Sequence, residues 1–212
     1  MKKRMTLLAK RQDMSTSDFR GYWAGPHAKL ALGMDGIAKY VHNRVDKTLW
    51  FSGDRPMFSV DGIVELYFSS DEAMARAQAS AVGRRHIPAD EPHFLSGWTL
   101  CVVDTEGGEP DSHGAKVIVP FLAGRFEGRG RWVDDLSGAA AGVNAQIAFN
   151  WTAASARREA LWAEPTPPDG FAVFWFQSVP AAHEAFDQDG AMRLALAKAA
   201  GVAYLVDELK IR

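Results

Sequence analysis

The sequence predicts an α+β protein made of two ferredoxin-like β-α-β-β-α-β modules packed against each other within one chain. Three observations predict it. First, Asp61-Gly62-Ile63-Val64-Glu65-Leu66-Tyr67-Phe68 recurs 108 residues later as Asp169-Gly170-Phe171-Ala172-Val173-Phe174-Trp175-Phe176, and a serine and a helical pattern follow each copy. Second, the apolar strand patterns Met5–Ala9 and Trp98–Val103 have counterparts at Lys116–Leu122 and Tyr204–Ile211. Third, a split βαβ unit covers one sheet face with helices and leaves the other bare, so two bare faces in one chain can bury each other. The product is an eight-stranded α+β barrel between the halves, of a kind that can enclose a small ligand. The expected boundaries are residues 1–105 for the first module, 106–113 for a linker and 114–212 for the second.

The elements follow in order. Met5–Ala9 reads as strand one. Ser15, three residues before Asp18, opens a helix in which Phe19, Tyr22, Trp23 and Leu30 share a face. Pro26 deprives the Tyr22 carbonyl of its usual partner, so the pattern predicts a kink or restart just before His27, near free helix amides. Ala38–Val45 and Gly62–Phe68 read as the next strands. Ser69 and Glu72 form a capping box for a helix with Ala73, Met74, Ala77 and Ala81 on its inner face, ended by Gly83. Leu95–Val103 completes the module, and the polar stretch Thr105–His113, with Gly107, Gly108 and Pro110, reads as the linker. In the second half, Lys116–Ala123, a weak helix Arg131–Ala141, Asn144–Trp151, Gly170–Phe176, broken helical material from Pro180 to Ala200 and Tyr204–Ile211 repeat the order.

Composition narrows the function classes. The chain has 212 residues, and its 47% hydrophobic content argues against disorder. A formal net charge of -2 gives no reason to expect nucleic acid as a partner. Arg84-Arg85 and Arg157-Arg158 read as solvated surface. Cys101 is the only cysteine, which forbids an intrachain disulfide and reads as a small buried hydrophobe. The basic start Met1-Lys2-Lys3-Arg4 is followed by an apolar run too short for a signal sequence, and no stretch is long enough for a membrane span, so a cytoplasmic protein is expected. Gly124-x-x-x-Gly128-x-Gly130 lacks the Gly-Lys-Ser/Thr ending of a phosphate loop, and no Gly-x-Ser-x-Gly elbow occurs. The six histidines show no metal-ligand spacing, so neither metal nor cofactor is expected.

The pattern Ser15-x-x-x-Phe19-x-x-Tyr22-Trp23-x-x-x-His27-Ala28, with Asp61-Gly62-Ile63-x-Glu65-Leu66-x-Phe68 and Asp90-Glu91-x-x-Phe94, resembles the EthD family of the dimeric α+β barrel superfamily. The resemblance covers Lys3 to Asp104. The second half shares the periodicity and the Asp169-Gly170 strand but lacks the tryptophan-histidine motif, so it is read as a degenerate tandem copy. Relatives include proteins tied to ether-degradation operons, polyketide dehydratases or cyclases, and lactone isomerases. They place the motif histidine near the mouth of the barrel cavity, and the resemblance implies the same for His27.

Candidate site residues follow from strand alternation. Tyr40, His42 and Arg44 share one face of their strand, and Asp61, Ile63, Glu65 and Tyr67 share one face of theirs. If both faces point into the barrel, Tyr40, His42, Glu65 and Tyr67 line one pocket. His27, His42 and Glu65 are the acid-base candidates, because imidazole titrates near neutral pH and a buried carboxylate must be paired or wet. Tyr22, Trp23, Tyr40, Tyr67 and, from the second half, Trp175 are the substrate-binding candidates. The expected activity is a cofactor-free lyase or isomerase that abstracts a proton from a small hydrophobic, aromatic or polyketide-like carbonyl compound. Its alternatives are a cofactor-independent monooxygenase and a non-catalytic binder of a hydrophobic metabolite. Pairing of two such chains into a homodimer is compatible with this reading.

Overall fold

The computed structural model describes residues 1–54, 56, 58–110, 112–123 and 129–212. The glycine-spaced positions Gly124 and Gly128 lie outside the described residues.

Eight strands close one antiparallel barrel. They are β1 (Lys2–Lys10), β2 (Ile37–Phe51), β3 (Gly62–Phe68), β4 (Leu95–Glu106), β5 (Ala115–Leu122), β6 (Gln146–Arg157), β7 (Gly170–Phe176) and β8 (Ala200–Lys210). Their order around the barrel is β1-β3-β2-β8-β5-β7-β6-β4. The first module carries helices α1 (Thr16–Tyr22), α2 (Ala28–Ala31), α3 (Asp71–Ala79) and α4 (Ile87–Asp90). The second carries α5 (Arg129–Gly142), α6 (Val179–Ala185) and α7 (Ala191–Leu196). Each module therefore has the β-α-β-β-α-β order, with its helices outside the barrel.

The repeated Asp-Gly pair has the same task in both modules. The Asp61 carboxylate accepts from the Lys10 amide at 2.9 Å, closing the end of β1, and Asp169 accepts from the Ala123 amide at 2.8 Å, closing β5. The glycine beside each leaves room for an aromatic ring. A Cβ at Gly62 would stand 2.5 Å from the Trp23 indole, and one at Gly170 would stand 2.8 Å from the Phe121 ring.

Several boundaries differ from the sequence expectation: β1 starts at Lys2, β4 runs on to Glu106 and β8 starts at Ala200, and three further differences have a clear physical reason. Strand β2 runs nearly twice as long as its apolar pattern and β6 about half again as long. Their extensions, through Asp46, Lys47 and Thr48 and through Ala153, Ala154 and Ser155, are exposed and so carry no burial signature. They pair β2 with β8 and β6 with β4, which joins the modules edge to edge as well as face to face. The N-cap of α3 is Ser70, not Ser69, and its hydroxyl accepts from the Ala73 amide. Gly83 does not end that helix. It lies in a second helical stretch, 82–90, where a loop was expected, and a Cβ there would stand 2.3 Å from the Ala77 carbonyl.

Side-chain parity divides the interior into three compartments. Met5, Leu7, Ile63, Cys101, Ile118, Val173 and Tyr204 fill the barrel. A second cluster lies between the first sheet and its helices, and a third between the second sheet and its helices. The barrel is thus a packed core, and the expectation of a ligand cavity inside it is corrected.

Charged groups sit within that core. The Glu65 carboxylate meets the Lys3 ammonium at 2.6 Å and the Lys116 ammonium at 2.5 Å, and accepts from Asn43 Nδ2 at 3.0 Å. Lys116 also reaches Glu208 at 2.7 Å, and Lys3 donates to Asn150 Oδ1 at 3.0 Å. Burial alone would raise the Glu65 carboxyl, but the charges and hydrogen bonds of Lys116 and Lys3 outweigh it and hold the group well below the usual carboxylate range.

Two outcomes are expected. Glu65→Gln leaves two buried ammonium groups short of a counterion and should destabilise the protein by about 3–5 kcal/mol in urea unfolding at pH 7. The folded-state value of Glu65 lies below the unfolded one, so its contribution is full above the ordinary carboxylate range and fades as pH falls through it. The gap between wild type and Glu65→Gln should therefore narrow below about pH 4. A gap independent of pH would mean that the lost carboxylate charge is not what matters. We also propose that the expected boundary divides modules that do not fold apart. Residues 1–105 alone should aggregate or self-associate in sedimentation, because β2 and β4 lose their partners and Met5, Leu7 and Ile63 lose their cover.

Candidate functional site

The first module holds a cavity of about 250 Å³ between its sheet and its helices. The outward residues Arg4, Thr6 and Leu8 of β1, Tyr40 of β2, and Val64 and Leu66 of β3 form its floor. Leu95, Trp98 and Leu100 of β4 continue it, and His27, Ala31, Met34, Ile87 and Glu91 close it from the helical side. The second module contributes Ala156 and Arg158 rather than Trp175.

Two π-helical turns place the polar groups. The helix through α1 does not end at Pro26. It widens into a π-turn, Trp23–His27, in which the Ala28 amide reaches back to the Trp23 carbonyl, and then continues as α2. Proline has no N–H to give, and the wider turn accommodates it without breaking the helix, which corrects the expected restart. A second π-turn, Val82–His86, leads into α4 and carries Asp90 to the same place.

His27 Nδ1 lies 2.8 Å from Asp90 Oδ2, and the Tyr22 hydroxyl donates to Asp90 Oδ1 at 2.7 Å. A carboxylate on Nδ1 favours the Nδ1–H tautomer and leaves the Nε2 lone pair available to a molecule in the cavity. Phe94 packs against the imidazole with ring centroids 4.7 Å apart. Burial holds His27 below the ordinary histidine value, more than offsetting the hydrogen bond and charge of Asp90. The neutral form is thus favoured by desolvation rather than by free helix amides. The Asp90 bond pushes the Tyr22 hydroxyl up to about 12, and burial raises Tyr40 further, so both remain O–H donors.

The structure separates the other expected site residues. His42 is fully buried, pairs across the ladder with Val64 and stacks on Trp23 at 3.9 Å, beneath the helix and outside the cavity lining. Neither of its ring nitrogens has a hydrogen-bond partner among the described residues, and burial pushes its pKa down to about 3. Glu65, Tyr67 and Trp175 face the barrel interior, since Glu65 pairs with Val41 and Met5. The conditional pocket of Tyr40, His42, Glu65 and Tyr67 is therefore corrected: its first two members lie on one face of the sheet and its last two on the other. Only His27 and Tyr40 line the cavity, with Tyr22 behind His27 and Trp23 in the core. Among the described residues no cluster of three or more metal-ligating side chains occurs.

Several polar residues at or behind the cavity went unassigned in the sequence, among them Asp90, Glu91, Arg4 and Arg158. Asp90 and Glu91 stood in the motif without a role. Arg4 preceded the apolar run used to start β1, although its alternation with Thr6 and Leu8 was a readable signal. Arg158, read as surface, is half-buried; its Nε donates to Glu91 at 2.7 Å, and its guanidinium lies 4.4 Å from the Trp98 ring centroid.

The second module fills the matching space. The ladders align Arg4 with Val117, Thr6 with Val119, Tyr40 with Ile147 and His42 with Phe149. Trp132, Phe149 and Trp151 pack there in one aromatic cluster.

The comparisons with known proteins bear on the fold. The EthD domain matches residues 11–97, the stretch that supplies His27, Tyr22, Asp90 and Glu91. No curated protein matches the chain. Among solved structures, an anthrone oxidase-like protein superposes with a TM-score of 0.65 at 12% identity, covering 99% of this chain and 93% of that one. Two proteins described as putative monooxygenases are also similar. One, from Lactobacillus acidophilus NCFM, has a TM-score of 0.54 at 6% identity over 100% and 94% of the two chains. The other, from Fusobacterium nucleatum, has a TM-score of 0.56 at 10% identity over 98% and 92%. The fold is the dimeric α+β barrel with both modules on one chain, and its first module is similar to the EthD domain.

Two titrations check the site. In NMR, His27 should titrate below about 6.5 and its neutral form should carry the proton on Nδ1. Asp90→Asn removes a charge that favours imidazolium and should lower that value further. An upward shift would contradict the assigned contact. His42 binds its proton more readily in the unfolded chain, so wild-type stability should fall by about 1.4 kcal/mol per pH unit as pH drops from about 6.5 towards 3 on its account. His42→Phe, the residue type at the matching position 149, should remove that slope while keeping stability at pH 7. An unchanged acid slope would show that His42 is not its source.

Proposed function

We propose that this chain is a cofactor-independent oxygenase acting on a small, enolisable cyclic ketone or phenol. The observation that carries the reading is the His27 imidazole, tied to Asp90 through Nδ1 and bordering a cavity with mostly apolar lining. Neutral Nε2 is the base. It takes a proton from the carbon beside the carbonyl, and the Tyr40 hydroxyl donates to the oxygen on which the charge develops. The electron-rich carbanion reacts with dioxygen, and the proton held on His27 returns to give a hydroperoxide. Loss of water leaves a new carbonyl, so that R₂CH₂ and O₂ become R₂C=O and H₂O. Apolar walls exclude bulk water, which would otherwise quench the carbanion.

The expected lyase or isomerase chemistry shares the first step and differs afterwards. We place oxygenation first because the similar structures are described as anthrone oxidase-like and as putative monooxygenases. His42 and Glu65 are read as structural in this scheme. The module boundaries are read as the joint of a tandem duplication, supported by the matching ladders and the paired Asp-Gly caps.

The test uses a panel of cyclic ketones and phenols with an oxygen electrode. Wild type should consume one dioxygen per product carbonyl. His27→Asn should lower turnover by roughly 10²–10⁴-fold with melting temperature nearly unchanged. Product formation without oxygen consumption would move the assignment to water loss or isomerisation. Equal turnover in His27→Asn would remove His27 from the chemistry.

A further inference from the structure

We infer that the cavity binds an anionic molecule, a cyclic carboxylate, through the guanidinium of Arg4. This rests on the cavity being the substrate site but not on the chemistry assigned to His27.

Arg4 is more than nine-tenths buried and lines the cavity floor. Among the described residues its guanidinium has no ion pair and no hydrogen bond, and its Nε is sealed from solvent without a partner. It lies 5.5 Å from the Phe68 ring centroid. Glu91 is the carboxylate whose charge reaches it, but that group is engaged by Arg158 at 2.7 Å and 3.4 Å. Burial, with the neighbouring charge of Arg158, pushes Arg4 down to about 10, so it stays a cation at neutral pH.

A buried cation without a counterion destabilises a fold, and the usual remedy is replacement by an apolar side chain. The second module has that remedy, with Val117 at the matching position. The first module keeps the guanidinium where the cavity is open. Its planar fork suits the two oxygens of a carboxylate. The cationic residues of the lining are Arg4, Arg84 and Arg158 against the single carboxylate of Glu91, so an anion completes the charge balance. Leu8, Leu66, Leu100 and Trp98 supply the apolar surface for a ring. At about 250 Å³ the space suits one ring with its substituents, since a cavity of about 150 Å³ takes benzene.

The test compares matched acids and amides of one shape: benzoate with benzamide, and cyclohexanecarboxylate with its amide, by calorimetry on the full chain. Wild type should favour at least one acid over its amide by tenfold or more, as expected for a charge-assisted bidentate pair. Arg4→Met should bring that ratio close to one and should leave the melting temperature of the free protein equal or higher. Arg4→Lys should retain a reduced preference for the acid, which covers the case in which Arg4→Met fails to fold. Arg84→Gln should leave the ratio within about twofold, as expected for a solvent-screened charge at the rim. His27→Asn should keep the preference, so a failed oxygenase reading does not carry this inference with it. The inference is overturned if no acid binds more tightly than its amide, if Arg4→Met keeps the preference, or if Arg84→Gln abolishes it.

Discussion

One buried carboxylate connects the two halves from inside. Glu65 belongs to the first module, and its oxygens engage Lys3 of the same module and Lys116 of the other. Lys3 in turn donates to Asn150 of the second module. These groups lie among apolar side chains, where an unpaired charge is far more costly than at the surface. The register of β1, β3 and β5 must therefore bring all three charges together, because a slip by one residue would turn them to the outer face. The helices inherit their positions from that register, and so does the cavity beneath them.

The same parity makes the two modules chemically unequal. Where the first module turns Arg4, Thr6 and Tyr40 outward under its helices, the second turns Val117, Val119 and Ile147. Trp132, Phe149 and Trp151 fill the second space, which gives that module a dry, dense layer. The first module gives up part of its packing and leaves a cavity bordered by His27. Closing both modules into one barrel lets the well-packed half support the half that holds a hole.

Two π-turns do the positioning that the expected helix break was meant to do. A regular helix through Pro26 would leave the Tyr22 carbonyl unpaired, whereas the wider turn carries the chain past the proline and keeps His27 on the inner face. The turn at Val82–His86 rotates Asp90 to meet it. Two residues separated by 63 positions in the chain thus form one hydrogen-bonded pair.

The amino-acid sequence alone determined the module order and the repeated Asp-Gly strand. These rest on local signals: the period of apolar residues, a proline, a capping serine. It also singled out Asp90 and Glu91 as part of a motif, without revealing their partners. Only the tertiary structure decided which face of each strand looks inward. Alternation shows that Tyr40 and His42 share a face and that Glu65 and Tyr67 share another, but it cannot say whether the two faces coincide. That depends on the β2–β3 register, which sets His42 opposite Val64 rather than Glu65. The place of the cavity followed from the same choice. The barrel filled because its inward positions are mostly large and apolar, and the space opened under the helices, where Arg4 of the first module and Arg158 of the second line one cavity.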